Sequence, residues 1–203
     1  MKNLLTGALG AAFVFAASVA LAQGAPPTRL RGTIEKVDGN ILSIKTRDGQ
    51  TATLKLDENY SVAVTTAMSL SDIHANSYIG VTAMPTAGGG MKAVEVHIFP
   101  EAQRGAGEGF RDWDLMPKST MTNAAVTGSV DAANGRTLTL TYKGGEKKID
   151  VPEGIPIVGF APGSKEDVKA GAGVAVLSAE KLPDGSYKTA RITVGRGGVN
   201  PPM

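Results

Sequence analysis

The chain has 203 residues, of which 42% are hydrophobic and 20% charged, and its 21 basic residues nearly balance its 19 acidic residues. This balance gives no electrostatic case for nucleic acid or an anionic membrane surface as a partner, because both attract concentrated positive charge. The chain contains no cysteine, which excludes disulfides, thiolate metal sites and thiol catalysis.

Residues 1–22 have the pattern of a secretory signal peptide. A short positive start precedes an apolar run over residues 4–21, and Ala20 and Ala22 match the small-x-small motif of signal peptidase sites. Cleavage is predicted before Gln23. The alternative is an uncleaved anchor, because the run approaches the roughly 20 residues that span a bilayer. Cleavage predicts a soluble periplasmic protein with no membrane contact once the signal is removed.

The mature chain repeats one pattern, at residues 23–99 and 125–194. The hairpin signal Asp38-Gly39 of the first copy returns as Asn134-Gly135 in the second, an offset of 96 residues. Such dipeptides supply the positive backbone angles of tight hairpins. A fixed period predicts two copies of one structural unit. Residues 195–203 are rich in Gly and Pro and are expected to form a disordered tail.

Apolar and polar residues alternate within each copy, which predicts strands with one buried face. In the first copy Leu54 and Leu56 flank Lys55, and in the second Ile149 and Val151 hold the matching places. Short alternating segments separated by hairpin turns indicate an antiparallel meander.

One short helical turn interrupts each copy at the same place. Ser69 precedes Asp72, and Ser164 precedes Asp167, by three residues, a spacing at which both side chains can satisfy free amides at a helix start. Three strands, a short helix and two strands predict an all-β fold of two tandem OB-like antiparallel β-barrels, each with one short helix. Each copy is expected to fold alone, with glycines such as Gly32 allowing curvature. A single β-sandwich is the alternative.

Residues 100–124 join the two copies and differ from both in composition. They contain three closely spaced glycines, several charges and the one tryptophan of the chain. An aromatic ring beside carboxylates and guanidiniums suits a polar, flat ligand such as a sugar. The alternative is that the tryptophan packs in the seam between the barrels while the charges are solvated. The predicted binding residues are Glu108, Arg111, Trp113 and Asp114.

The motifs follow one another in the order Gly-x-Ile/Val, Asp-Gly, a short helix, Gly-Val and a late Ala-x-x-Ile/Val. This order resembles that of exported bacterial domains of unknown function that form OB-like barrels. The joining segment, with Arg104-Gly105-Ala106-Gly107-Glu108-Gly109 and Trp113-Asp114-Leu115, resembles a signature of uncharacterised proteobacterial exported proteins. Some relatives of that kind carry metal-transport names. The resemblance implies a soluble partner of transport, because the chain has no bundle of membrane helices.

The histidines and methionines raise the alternative of a metal-handling accessory. Glu95 and His97 lie two residues apart on the outer face of one predicted strand, so both could reach one copper or zinc ion. The second copy has Arg191 and Thr193 at these positions, so the repeat does not itself carry a site. No other cofactor is predicted.

No pattern typical of an enzyme is evident. The chain has no G-x-S-x-G motif, and neither histidine has a recognisable Ser–Asp companion. A carboxylate pair drawn from Glu108, Asp112 and Asp114 leaves a carbohydrate-active hydrolase as a further alternative. The sequence predicts a periplasmic, non-catalytic binding or adaptor protein whose partner is a small molecule or another periplasmic protein.

Overall fold

The computed structural model describes residues 28–201, which consist mainly of β-strands, so the predicted all-β class is confirmed. The predicted signal peptide, residues 1–22, lies outside the described residues. Within them, no helix has the length and apolar character needed to cross a membrane. The strands are β1 (Thr28–Asp38), β2 (Ile41–Thr46), β3 (Thr51–Ala67), β4 (Tyr78–Pro85), β5 (Met91–Ile98), β6 (Gly109–Asp112), β7 (Thr120–Ala132), β8 (Gly135–Tyr142), β9 (Gly145–Pro152), β10 (Ile157–Pro162), β11 (Gly173–Lys181) and β12 (Tyr187–Gly195).

Five strands close into a barrel in the order β1-β2-β3-β12-β11. The first three form an antiparallel meander, and Gly39 has the positive φ, 57°, expected of the Asp-Gly turn. β12 runs parallel to β3, and β11 pairs antiparallel with both β12 and β1 to close the ring. The buried apolar residues of this barrel are Leu30, Ile34, Leu42, Ile44, Leu54, Leu56, Val64, Val168, Ala172, Val174, Val176, Ala179, Ile192 and Val194.

Five further strands surround a second apolar core. β4 pairs with β5 and β7, and β7, β8 and β9 form an antiparallel meander. β9 returns to β5 through one parallel residue pair, Lys92 with Asp150, so this contact is narrow. The buried apolar residues of this core are Ile73, Ile79, Val81, Ala83, Ala93, Val96, Ala124, Val126, Leu138, Leu140, Ile149, Val151 and Ile157.

Both strand groups take their members from both copies of the sequence repeat. The closed barrel combines β1–β3 of the first copy with β11 and β12 of the second. The other group combines β4 and β5 of the first copy with β7–β9 of the second. The strand pairing therefore does not follow the predicted units 23–99 and 125–194, and the expectation that each copy forms its own barrel is not what the structure shows. Equivalent strands of the two copies have the same alternation of apolar and polar residues. The local sequence therefore does not determine whether a strand pairs within its own copy or with the other copy.

Strands β3 and β10 join the two halves of the molecule at its centre. The end of β3 pairs antiparallel with β10, with Thr65 opposite Phe160. These residues are 95 positions apart, which is the offset of the repeat in this region. Because equivalent segments pair antiparallel around equivalent residues, the two copies are related by an approximate two-fold axis at this pair.

The two predicted helix starts are present as single 3-10 turns, Leu70–Asp72 and Lys165–Asp167. In each, the backbone N–H of the preceding serine donates to the Oδ2 atom of the aspartate three residues later, at 2.7 and 2.9 Å. The Ser–Asp spacing thus has the structural role that the sequence indicates.

The chain after β12, predicted as a disordered tail over residues 195–203, makes defined contacts as far as it is described. Pro201 is buried, and its carbonyl oxygen accepts a hydrogen bond of 3.2 Å from Nη2 of Arg47. Asn200 lies so close to Gly173 that a β-carbon there would collide with it. Residues 196–201 therefore pack on the end of the barrel.

Candidate functional site

The joining segment folds back along β7 and carries its loop, residues 113–119, to β1 of the barrel. β6 pairs antiparallel with β7, from Gly109 opposite Asn123 to Asp112 opposite Thr120. The loop then connects the two strands, with Trp113 and Asp114 at its start. Two of the four predicted binding residues are thus placed where the two strand groups meet.

Hydrogen bonds define the conformation of this loop. The backbone N–H of Trp113 donates to the carbonyl oxygen of Ser119 at 2.8 Å, and the Ser119 hydroxyl donates to the Trp113 carbonyl oxygen at 2.9 Å. The same hydroxyl accepts from the N–H of Met116 at 3.1 Å. Lys118 has a positive φ of 65°, unusual for a residue with a side chain, which closes the turn. The position of Asp114 is therefore determined by a braced turn.

Asp114 forms ion pairs with two arginines of β1. Nη2 of Arg31 lies 2.8 Å from Oδ1 and Nη1 lies 3.3 Å from Oδ2, while Nη1 of Arg29 lies 3.3 Å from Oδ1. The Arg31 side chain is 10% exposed and that of Asp114 is 45% exposed. Partial burial raises the pKa of Asp114, but hydrogen bonding and the charges of the two arginines outweigh this effect, and the net pKa is lowered. The carboxylate is therefore ionised at neutral pH and held by a two-arginine clamp.

The Trp113 ring is covered by guanidinium groups. The guanidinium carbon of Arg29 lies 4.3 Å from the ring centroid, and that of Arg111 lies 5.5 Å from it. The indole Nε1 is buried and has no hydrogen-bond partner among residues 28–201. Because Arg29 and Arg111 of the same chain already lie over the ring, the structure does not present Trp113 as an open stacking surface for a sugar.

The other two predicted binding residues have local roles. Nη1 of Arg111 donates to the carbonyl oxygen of Gly107 at 2.6 Å, which ties the strand to the glycine-rich segment before it. A carboxylate oxygen of Glu108 accepts from the backbone N–H of Lys143 at 2.8 Å, at the β8–β9 hairpin. The structure therefore groups Arg111 with Trp113 and Asp114 but directs Glu108 to a different neighbour.

A cleft of about 960 Å³ lies beside the two-arginine clamp. It is formed by the starts of β1 and β3, the β2–β3 hairpin, the beginning of the 113–119 loop and the hairpin before β12. Its volume is in the upper part of the range of small-molecule sites, about 300–1,000 Å³. The lining residues include the charged side chains Arg29, Arg31, Arg47, Lys55, Asp48, Asp114 and Asp184.

A second ion pair lines the same cleft. Nζ of Lys55 contacts Oδ2 of Asp184 at 2.7 Å, and this hydrogen bond is the main cause of a strongly lowered Asp184 pKa. Arg47 also lines the cleft; burial lowers its pKa, and the charge of Arg31 lowers it further. The cleft thus places several fixed charges of both signs around one polar space.

Sequence reasoning missed the cationic side of this cleft. The available signal was the alternation in β1, where Arg29 and Arg31 flank the buried Leu30 and therefore share the outer face. Nothing in the sequence pairs these arginines with Asp114, which is 83 residues away from Arg31.

The predicted metal residues Glu95 and His97 are in contact, but they are buried. The side chains are 2% and 1% exposed, and His97 Nε2 lies 3.0 Å from Oε1 of Glu95. The Thr82 hydroxyl donates to the same oxygen at 2.6 Å, and Phe160 packs edge-on against the imidazole. Residues 28–201 contain no group of three His, Cys, Asp or Glu side chains arranged to hold a metal ion. Metal binding by this pair stays a prediction.

Comparisons of the chain with protein-family models, with curated proteins and with solved structures found no match. The cleft and the residues around it are therefore the features that bear on function.

Proposed function

We propose that this protein is an exported, periplasmic, non-catalytic binding protein whose small-molecule ligand occupies the 960 Å³ cleft. The observation that carries the proposal is the cleft itself, which combines adequate volume with converging charged and hydroxyl groups. Thr46, Thr51 and Thr53 line it together with Tyr187. These groups can form hydrogen bonds with a polar ligand, while the ion pairs at both sides orient its charged parts.

We also propose that the molecule is built from two OB-like barrels that have exchanged strands. The order β1-β2-β3-β12-β11, with β12 parallel to β3, supports this view. It is the order of a five-stranded Greek-key barrel whose last two strands come from the other copy. The cleft would then lie where the joining segment meets the outside of one barrel, as expected for a ligand site between structural units.

The proposal is tested by native mass spectrometry of the mature protein purified from the periplasm of its native host, with metal analysis on the same sample. Thr53→Trp places an indole in the cleft, because Thr53 is an exposed lining residue. The matched control is Ser129→Trp, at an exposed position of β7 away from the cleft. Wild type and Ser129→Trp are expected to carry the same small molecule, and Thr53→Trp none.

Two results would contradict the proposal. One is a wild-type protein without any bound molecule, and the other is an equal mass increase in Thr53→Trp. A stoichiometric metal ion in the wild type, lost in His97→Ala, would instead favour the metal-handling alternative.

A further inference from the structure

The clamp around Asp114 has the form of an anion-binding site that the chain fills with its own carboxylate. Arg31 makes two contacts with the carboxylate, at 2.8 and 3.3 Å, and Arg29 adds a third at 3.3 Å. Parallel guanidinium contacts of this kind are the usual way in which proteins recognise the carboxylate or phosphate group of a ligand.

The carboxylate borders open space. Asp114 lines the large cleft and its side chain is 45% exposed, whereas Arg31 is 10% exposed and anchored in β1. The arginines thus belong to the rigid barrel, while the carboxylate belongs to a loop. A ligand entering the cleft would meet the clamp beside Asp114.

The loop that carries Asp114 contacts the barrel through side chains, with Asp114 on Arg29 and Arg31 and Trp113 under Arg29. Its braces are internal, between Trp113, Met116 and Ser119, and Met116 is exposed. A small displacement of this turn as a unit would keep those hydrogen bonds while withdrawing the carboxylate. Because Arg29 also lies over the Trp113 ring, such a movement would change the surroundings of the indole.

We propose that the cleft binds a small organic anion whose carboxylate or phosphate group replaces Asp114 on Arg29 and Arg31. This inference rests on the proposed function and specifies its ligand class. The exchange conserves the ion pairs, since one anion leaves the guanidiniums as another arrives. Asp114 therefore acts as an internal competitor that lowers the affinity for weak anions and provides a negative charge beside Arg31 when no ligand is bound.

The cleft provides room for the remainder of such a ligand. Its volume of about 960 Å³ far exceeds a single phosphate or carboxylate group. Gln50, Thr51 and Tyr187 line the space beyond the clamp and can contact hydroxyl or carbonyl groups. Succinate and glycerol 3-phosphate are suitable probes, because each joins an anionic group to a small polar body, and glycerol is the neutral control.

The test compares wild type with Asp114→Asn by isothermal titration calorimetry and by the fluorescence of Trp113, the one tryptophan of the chain. Asp114→Asn is expected to bind one of the two anions at least about tenfold more tightly than wild type, because the competing charge is removed. The probe that binds identifies the ligand group as carboxylate or phosphate. Fluorescence should change on binding, and glycerol should have no effect.

Two further variants test whether a gain in affinity comes from the change in net charge alone and whether it requires the arginines of the clamp. Asp131→Asn changes the net charge equally and also breaks an Arg–Asp pair, with Arg136 at 3.1 Å, but it lies outside the cleft lining. It should bind as wild type does. Arg29→Gln in the Asp114→Asn background should lose most of the gained affinity, and Arg29 is exposed enough to be replaced without disturbing the core.

The inference is overturned if folded Asp114→Asn binds both anions no better than wild type, or if neither protein binds them. It is equally overturned if Asp131→Asn gains the same affinity. If the native protein instead carries a neutral molecule that Thr53→Trp excludes, the proposed function stands and the anionic ligand class is wrong.

Discussion

Because both strand groups contain strands of both copies, we expect that neither copy folds to its native structure by itself. Cutting the chain between Gly105 and Ala106 separates the copies at two exposed residues of the joining segment. The fragment 28–105 then retains β1–β5, and the fragment 106–203 retains β6–β12. Each fragment loses partner strands from both apolar cores.

The size of the effect follows from how the cores are divided. Of the fourteen buried apolar residues of the closed barrel, seven precede the cut and seven follow it. The seven residues before the cut are all Val, Leu or Ile. Full burial of such a side chain contributes about 1.5–3 kcal/mol, so exposing these seven costs about 10–20 kcal/mol. This loss matches or exceeds the free energy of unfolding of a typical domain, which is about 5–15 kcal/mol. The fragments should therefore associate strongly when mixed.

The assay is size-exclusion chromatography with light scattering, combined with circular dichroism, on each fragment and on their equimolar mixture. The mixture is expected to form a 1:1 complex with the melting behaviour of a nicked but otherwise intact chain. Each fragment alone is expected to lack a cooperative melt. If both fragments are folded monomers with cooperative transitions and do not associate, each copy closes its own barrel and the pairing of β12 with β3 is not needed for folding.

Two further predictions concern stability. Gly32→Ala should lower the free energy of unfolding, measured by urea denaturation, by about 1–3 kcal/mol, because a β-carbon there would collide with the carbonyl oxygen of Lys45. The control is Gly88→Ala, which has open space around it and should change the free energy of unfolding by less than about 0.5 kcal/mol. Asp167 has its pKa lowered to about 2, mainly by a hydrogen bond from Arg196. The stabilisation of the folded state by the ionised Asp167 carboxylate is therefore complete above the unfolded-state pKa of about 3.9 and is lost as the pH falls to about 2. Asp167→Asn should flatten the pH dependence of the urea midpoint in this range, and an unchanged slope would show that the pair does not contribute.

At the candidate site, the sequence indicates which residues to consider, but contacts between distant parts of the chain define their surroundings. Trp113 and Asp114 were predicted as binding residues from composition, and both lie where the two strand groups meet. The predicted use of the indole as a stacking surface did not anticipate that Arg29 and Arg111 cover it. Contacts of this kind depend on which strands the joining segment reaches, and residue spacing along the chain does not contain that information.

The local elements of this protein follow from short stretches of sequence: alternating strands, hairpins at Asp-Gly, and the Ser–Asp turns that precede Val168 and its counterpart Ile73. Each depends on a period of two residues or on backbone angles within one turn, so neighbouring residues suffice to specify it. Long-range packing sets which copy supplies each strand of the barrel, and it brings Arg31 to Asp114. Equivalent strands of a repeat present nearly the same apolar face to either partner, and the choice between them depends on the packing of the whole chain.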